Sequence, residues 1–318
     1  MKTLLAVCLL AAGLAVVIAE TACAQNYPVK SIRIVTSPAG GGNDFVARLI
    51  ARALTGPLGQ KIVVDNRATI LIADVVREAP PDGYTLLITG SAHWIGPLIR
   101  KVTYDPVRDF APITMVDRAP SVLVVHPSMP LKSVKQLIAL AKARPGEMNF
   151  SVGGPGSSGY LGALLFKHMA GVNIVSIPYK GTAPALVAVM SGEVQAMFGS
   201  PGSVAPHVAA GRLRALAVAS LKPSRLAPGL PTVAQAGVPG FQSEALHALF
   251  APTGTPAAAI ALLNREVDKY LRSPQAQKIF LKAGVEPSPG TPEELSATMK
   301  SEVARIGAVL KAAGVVPR

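Results

Sequence analysis

Short apolar runs alternate with amphipathic stretches along most of the chain, and each kind of stretch predicts one kind of element. Ile32–Thr36 is an apolar run that ends at a Ser-Pro pair, which predicts a strand followed by a turn. Residues 45–54 have an apolar stripe at helical spacing, and Asn43 is the expected cap of that helix. Further strands are predicted at residues 62–65, 85–89, 121–125, 149–152, 174–177, 196–198 and 215–219. This alternation indicates parallel sheets covered by helices, the α/β class.

The last third of the chain has a more helical pattern. Thr255, Ser273 and Thr291 each precede a proline, which predicts three helices with a capping residue and a proline at the first helical position. Thr291 and Glu294 also have the spacing of a capping box. Residues 223–239 are rich in proline and glycine, and they predict a connection that runs over the surface.

Residues 1–24 have the pattern of a signal peptide. A lysine at the second position precedes an apolar segment, residues 4–18, and an A-x-A site ends at Ala24, so we expect export and cleavage after Ala24. Acylation of Cys23 is the alternative, although Glu20 stands where a lipobox has an aliphatic residue. Cleavage after Ala24 would remove both cysteines, which excludes disulfides and thiol chemistry in the mature chain.

Charge and composition narrow the function classes. The chain has 318 residues, enough for two domains, and it is 50% hydrophobic, which excludes a disordered protein. Lys and Arg exceed Asp and Glu by 31 − 18 = 13, and this excess favours an anionic partner. A basic protein that binds nucleic acid or a charged surface is one alternative. It predicts basic clusters, whereas the Lys and Arg residues of this chain are dispersed.

Catalytic motifs are mostly absent from the sequence. The five histidines are scattered and none has a metal-binding spacing, so we expect neither a metal nor a cofactor. Ser157 and Ser158 lie in a glycine-rich stretch that matches neither G-x-S-x-G nor a phosphate-binding loop. A secreted hydrolase that uses one of these serines is therefore the weaker alternative.

Two glycine-rich turns, residues 40–42 and 153–159, are candidates for anion binding. Each lies between a predicted strand and the N-terminus of a predicted helix, where backbone N–H groups and the positive end of the helix dipole meet. Glycines allow a ligand to approach the backbone closely, and nearby serines add donors. The alternative is that both are only tight strand-to-helix turns.

A series of motifs resembles one family over essentially the whole mature chain. The sequence resembles the substrate-binding proteins of tripartite tricarboxylate transporters, the TctC or Bug type. Examples are the run Pro38-Ala39-Gly40-Gly41-Gly42 and the segment 178–185. The other segments that carry the resemblance are 27–28, 31–35, 43–44, 65–67, 81–87, 104–112, 122–125, 211–218, 231–233, 237–241 and 251–256.

The resemblance implies a monomeric periplasmic binding protein with two α/β lobes, which closes on a small carboxylate and delivers it to membrane components of a transporter. Residues 25–125 and 221–318 would form the first lobe and residues 126–220 the second, with 122–125 and 215–219 as crossing strands. One wall of the cleft would comprise Ser37, Pro38, Ala39, Gly40, Gly41, Gly90, Ser91 and His93. The opposite wall would comprise Gly153, Gly154, Gly156, Ser157, Ser158, Tyr179, Lys180, Gly181, Thr182, Gly199 and Ser200.

The sequence departs from the family pattern at the cleft. Residues 68–72 replace the glycine-rich loop of most relatives, and Gly199 stands where many relatives have Asp. We expect Gly199 to leave space and to remove an acceptor for ligand amines, so that the ligand is a carboxylate without an amine. Thr182 is expected to cap a helix, and Lys180 is either a ligand contact or a solvated surface charge.

Overall fold

The computed structural model describes residues 27–153, 157–312 and 314. The expected signal peptide, residues 1–24, lies outside the described residues, as do Gly154 and Gly156. Among the helices of the described part, none has the length and apolar character that a membrane span requires.

The strands form two separate sheets. In chain order they are β1 Ile32–Thr36, β2 Ile62–Asn66, β3 Thr85–Gly90, β4 Phe110–Pro120, β5 Val122–Val125, β6 Asn149–Val152, β7 Val175–Pro178, β8 Ala196–Gly199, β9 Arg214–Val218, β10 Glu244–Pro252 and β11 Glu286–Pro287. One sheet has six strands in the order β11-β4-β10-β3-β1-β2, and the other has five in the order β7-β6-β8-β5-β9.

Helices cover both sheets. In chain order they are α1 Gly42–Leu58, α2 Ile72–Arg77, α3 Ala92–Ile95, α4 Val134–Ala143, α5 Ser158–Ala170, α6 Thr182–Met190, α7 Pro201–Ala209, α8 Ala257–Arg272, α9 Pro274–Lys282 and α10 Pro292–Ala312. A short 3₁₀ helix, Gly96–Leu98, follows α3. We call the six-stranded sheet with its helices the first lobe, and the five-stranded sheet with its helices the second lobe. The predicted α/β class is confirmed.

Each sheet contains both parallel and antiparallel strand pairs. In the first lobe β1 pairs in parallel with β2 and β3, whereas β10 is antiparallel to β3 and β4. In the second lobe β6 is parallel to β7 and β8, whereas β5 is antiparallel to β8 and β9. Strands β4, β10 and β11 were not predicted from the sequence. They carry prolines and polar residues, and the pairing of β4 with β10 has β-bulges, so their local pattern is irregular.

Each lobe has its own apolar core. Ile34 of β1 packs with Ile50 of α1 on one face of the first sheet. Trp94 and Phe250 pack with the C-terminal helix α10 on the other face. In the second lobe the phenylalanine rings at positions 150, 166, 198 and 241 pack together with centroids 5.4–6.1 Å apart. Such aromatic contacts stabilise a core through buried area and edge-to-face geometry.

The chain crosses from the first lobe to the second at Ser121 and returns at Ser243, and Ala219 lies beside both crossings. The Ala219 N–H donates to the carbonyl of Ser121 (2.7 Å), and the Ser121 N–H donates to that of Ser243 (3.0 Å). The expected crossing strands β5 and β9 lie wholly within the second sheet. Residues 221–243 do not return at once to the first lobe, because Val233 and Phe241 are part of the second-lobe core. The return is at Ser243, where β10 begins.

The predicted helix caps give mixed results. Ser273 caps α9 by accepting from the Ala276 N–H, and Thr291 forms the predicted capping box with Glu294. Thr255 is not a cap, since α8 begins at Ala257 with Pro256 before it. Asn43 and Thr182 are not caps either. Each lies inside the first turn of its helix, and a glycine occupies the capping position.

Candidate ligand-binding site

The turn between β1 and the start of α1, residues 37–43, which we call the α1 turn, is organised by the carboxylate of Asp44. The Gly40 N–H donates to Asp44 Oδ2 (2.9 Å), and Asn66 Nδ2 donates both to Asp44 Oδ1 (2.9 Å) and to the carbonyl of Ser37 (2.7 Å). Burial would raise the pKa of Asp44, but these bonds and the guanidinium of Arg48 lower it to about 2. The turn is therefore held by an ionised carboxylate that the sequence analysis did not single out.

This arrangement leaves a set of backbone donors at the N-terminus of α1. Gly41 occupies the capping position and Pro38–Gly42 are exposed, whereas Ser37 is buried. Within the described residues, the N–H groups of Gly41, Gly42 and Asn43 have no hydrogen-bond acceptor. The N–H group of Gly40, which was predicted to bind the ligand, donates to Asp44 instead. Free N–H groups at the positive end of a 17-residue helix favour an anion.

Gly90 and Ser91 lie beside this helix N-terminus, whereas His93 does not contribute its ring. A Cβ added at Gly90 would lie 3.5 Å from Asn43 Oδ1, and the Ser91 N–H donates to the carbonyl of Leu246. The His93 ring is 3% exposed, and it stacks on Tyr104 with centroids 4.8 Å apart. Burial lowers the pKa of His93 to about 3, so the ring is neutral and internal. We assign no ligand contact to the His93 side chain.

In the second lobe, the loops after β6 and β7 meet. A Cβ added at Gly153 would lie 3.1 Å from Ser157 Oγ and 4.0 Å from the carbonyl carbon of Gly181. Ser157 caps α5 by accepting from the Tyr160 N–H, and the carbonyl of Ser158 accepts from Ser243 Oγ (3.0 Å). The hydroxyl of Ser157 therefore has a structural role at the start of α5.

Three side chains of the loop after β7 are accessible. Tyr179 donates its hydroxyl to Glu193 Oε1 (3.0 Å), so its phenol is engaged within the second lobe. Lys180 and Thr182 are exposed, and Lys180 has no ion pair among the described residues. Gly181 has φ of 114°, a conformation that favours glycine at this helix start.

The packing around Gly199 contradicts the expectation that it leaves space for a ligand. Gly199 is buried in β8, and a Cβ added there would clash with Val204 Cγ1 of α7. The missing side chain would therefore point into the second lobe itself. Ser200 precedes α7 and donates its hydroxyl to Ser203 Oγ (2.8 Å). Gly199 therefore gives no structural basis for a preference against ligand amines.

A histidine–aspartate pair that the sequence analysis missed lies beside the α1 turn, with the aspartate fully buried. His247 of β10 is opposite Asp117 of β4, and His247 Nδ1 is 2.7 Å from Asp117 Oδ1. A Cβ added at Gly42 would lie 3.2 Å from the other ring nitrogen, Nε2. Burial lowers the pKa of His247, but the charge of Asp117 and its hydrogen bond raise it more, so the net shift is upward.

Sequence and structure do not assemble a catalytic centre from these groups. Within the described residues, His247 Nε2 has no hydroxyl partner, and Ser157 Oγ is bonded to a backbone N–H rather than to a base. No group of three or more His, Cys, Asp or Glu side chains in the part of the chain that the structure describes could hold a metal ion. The arrangement can bind an anion through backbone donors and an imidazole.

Comparison with known proteins identifies the family. Residues 46–315 match the family model described as the tripartite tricarboxylate transporter family receptor, TctC. The chain belongs to this receptor family. Its members are periplasmic solute-binding proteins rather than enzymes, and they serve tripartite transporters. Protein BugT of Bordetella pertussis is 37% identical over 304 residues, which is 93% of each chain.

Two solved structures of proteins from Rhodopseudomonas palustris have the same fold. Rpa4515 with adipate has a TM-score of 0.74 and 35% identity, over 92% of this chain and 100% of that chain. MatC with bound malate has a TM-score of 0.70 and 30% identity, over 89% of this chain and 100% of that chain. The two-lobed fold of a TctC receptor is thereby established for this chain.

Proposed function

We propose that this TctC receptor captures a small organic carboxylate in the periplasm and delivers it to the membrane components of a tripartite tricarboxylate-type transporter. In this proposal the precursor is cleaved after Ala24 and the mature protein acts as a monomer. The observation that carries the proposal is the set of N–H groups of Gly41, Gly42 and Asn43, which have no acceptor among the described residues. They form an exposed anion site at the end of a long helix.

Three features support a carboxylate as the ligand. The free backbone N–H groups of Gly41, Gly42 and Asn43 are donors, so they match an acceptor-only group. The excess of 13 basic residues favours anions over the whole molecule. Two relatives with the same fold have adipate and malate bound. A dicarboxylate is the ligand class that fits all three.

The loops of the second lobe form the opposite wall in this proposal. Gly153 lies close to both Ser157 and Gly181, and these residues follow the parallel strands β6 and β7 as the α1 turn follows β1. Lys180 is exposed on the same loop and adds a positive charge. Ligands of open α/β sheets bind outside the carboxyl ends of the strands, which is where all these loops lie.

Thermal unfolding of the mature protein with a panel of acids tests the proposal. Succinate, malate, adipate and citrate are compared with aspartate, glutamate and benzoate, and we expect one of the amine-free dicarboxylates succinate, malate and adipate to raise the Tm most. Gly41→Val should abolish that rise, because its side chain blocks the approach of a ligand to the backbone N–H groups. The far-UV circular dichroism should stay native, because a Cβ at Gly41 has only the carbonyl oxygen of Pro38 nearby, at 3.7 Å. Losing one charge-assisted hydrogen bond weakens binding roughly 10- to 150-fold.

Gly56→Val is the matched control, since Gly56 is exposed in the same helix and has open space around it. It should keep the full ligand-induced rise in Tm. A Gly41→Val variant that responds like the wild type would show that the α1 turn is only a structural turn. A panel without any response would contradict carboxylate binding itself.

A further inference from the structure

An aspartate–histidine pair lies between strands β4 and β10 of the first sheet. Asp117 is 0% exposed, and within the described residues its Oδ2 has no hydrogen-bond partner, while its Oδ1 contacts His247. A buried carboxylate is unfavourable unless a positive charge compensates it. The pair therefore favours a protonated imidazole at position 247.

The ring of His247 is oriented toward the ligand-binding turn. Nδ1 faces Asp117, and the opposite nitrogen Nε2 faces Gly42, the first residue of α1. Nε2 has no hydrogen-bond partner among the described residues. It is not fully buried, and the side chain of His247 is 14% exposed. Its N–H is thus available beside the free N–H groups of Gly41–Asn43.

Asp117 is the neighbouring group that determines the charge of the His247 imidazole. Of the described residues, Asp117 on β4 is the charged group that acts on it. The first turn of α1 presents Gly42 and Asn43, and β3 presents Gly90, none of which titrates. Asp44, the nearest acid along α1, is engaged by Gly40, Asn66 and Arg48.

We propose that the His247 imidazolium, held in place by Asp117, binds a carboxylate of the ligand beside the N-terminus of α1. This inference rests on the proposed function and names the side chain that provides its positive charge. A carboxylate has two oxygens, so one accepts from a backbone N–H of the turn while the other accepts from Nε2–H. His247 then makes binding dependent on protonation, which backbone donors alone do not.

Titration calorimetry with succinate, malate and adipate at pH 6, 7, 8 and 9 tests this proposal. In the wild type, affinity should fall as the pH rises through the pKa of His247, by at most tenfold per pH unit for one proton. His247→Gln should bind about 10- to 150-fold more weakly at pH 6 and show no pH dependence from this group. Asp117→Asn should move the midpoint of the pH dependence to lower pH, because it removes the charge that raises the pKa.

Two further variants keep the outcome clear. His247→Gln leaves Asp117 without a partner, so the double variant His247→Gln/Asp117→Asn, which has no buried charge, is measured beside it and should bind as weakly. His168→Gln removes an exposed histidine at the end of α5 and should bind like the wild type.

The two proposals fail in different ways. If the wild type binds a dicarboxylate and His247→Gln binds it equally well at every pH, the role of His247 is overturned and the proposed function stands. If Asp117→Asn keeps the wild-type midpoint, the positioning role of Asp117 is overturned. If the wild type binds none of the three acids, both proposals fall together.

Discussion

At the scale of single residues, the α1 turn depends on two buried carboxylates that the sequence pattern did not mark as functional. Asp44 orders the turn and thereby decides which N–H groups remain free. Asp117 orders the imidazole next to it. Asp44 lies inside a matched family motif, but only the structure shows that it occupies the Gly40 N–H. Asp117 and His247 are 130 positions apart, so no local spacing could have paired them.

Asp44→Asn should destabilise the protein by about 1–3 kcal/mol at pH 7, because an amide places a donor where two donors already point. The folded pKa of Asp44 is about 2, below its ordinary value. Its stabilisation is therefore complete above the pKa of the unfolded chain, about 4, and is lost as the pH falls toward 2. Urea unfolding at pH 7, 4 and 2.5 measures this difference between variant and wild type.

Asp268→Asn is the control for this prediction, since Asp268 forms an exposed pair with Arg272 one turn away on α8. Such pairs contribute roughly 0.3–0.5 kcal/mol, so its effect should be much smaller. A gap between Asp44→Asn and the wild type that widens in acid would contradict the assigned role of Asp44.

At the scale of elements, the regular strands were predictable and the irregular ones were not. Strands β1, β3 and β6 are short apolar runs buried among helices, and such runs can be recognised locally. Strands β4 and β10 pair across more than a hundred residues, with bulges and with polar residues in their centres. Tertiary pairing, rather than local pattern, makes them strands. Asp117 and His247, which sequence reasoning missed at the site, lie on these two strands.

Gly199→Ala should destabilise the second lobe by about 1–3 kcal/mol, because its Cβ would clash with Val204 across the junction of β8 and α7. The double variant Gly199→Ala/Val204→Ala should recover part of this loss by opening space. Gly56→Ala, in an exposed and uncrowded position of α1, should instead gain roughly 0.5–1 kcal/mol. Denaturant unfolding of the variants tests this. A Gly199→Ala variant as stable as the wild type would mean that the space beside β8 is open after all.

At the scale of the whole molecule, the two lobes are tied together on the side of the C-terminal helix. Met299 of α10 packs in the first-lobe core, whereas Val309 packs in the second-lobe core. Arg305 Nη1 donates to the carbonyl of Gln242 (2.7 Å), next to the crossing at Ser243. Residues 221–243 extend the second lobe. The sequence predicted the lobe boundary at residue 220. The pattern of a proline-rich connection does not reveal which of the two cores it packs against.

The most direct test of the account is the structure of the protein with the dicarboxylate that raises its Tm most. We predict a ligand carboxylate at the α1 turn, with an oxygen about 2.7–3.2 Å from the backbone nitrogen of Gly41 or Gly42. The loops at Gly153 and Gly181 should contact the ligand from the other lobe. A ligand bound elsewhere, for example in the groove of about 390 Å³ lined by Ser288, Thr291 and Thr298, would contradict this prediction.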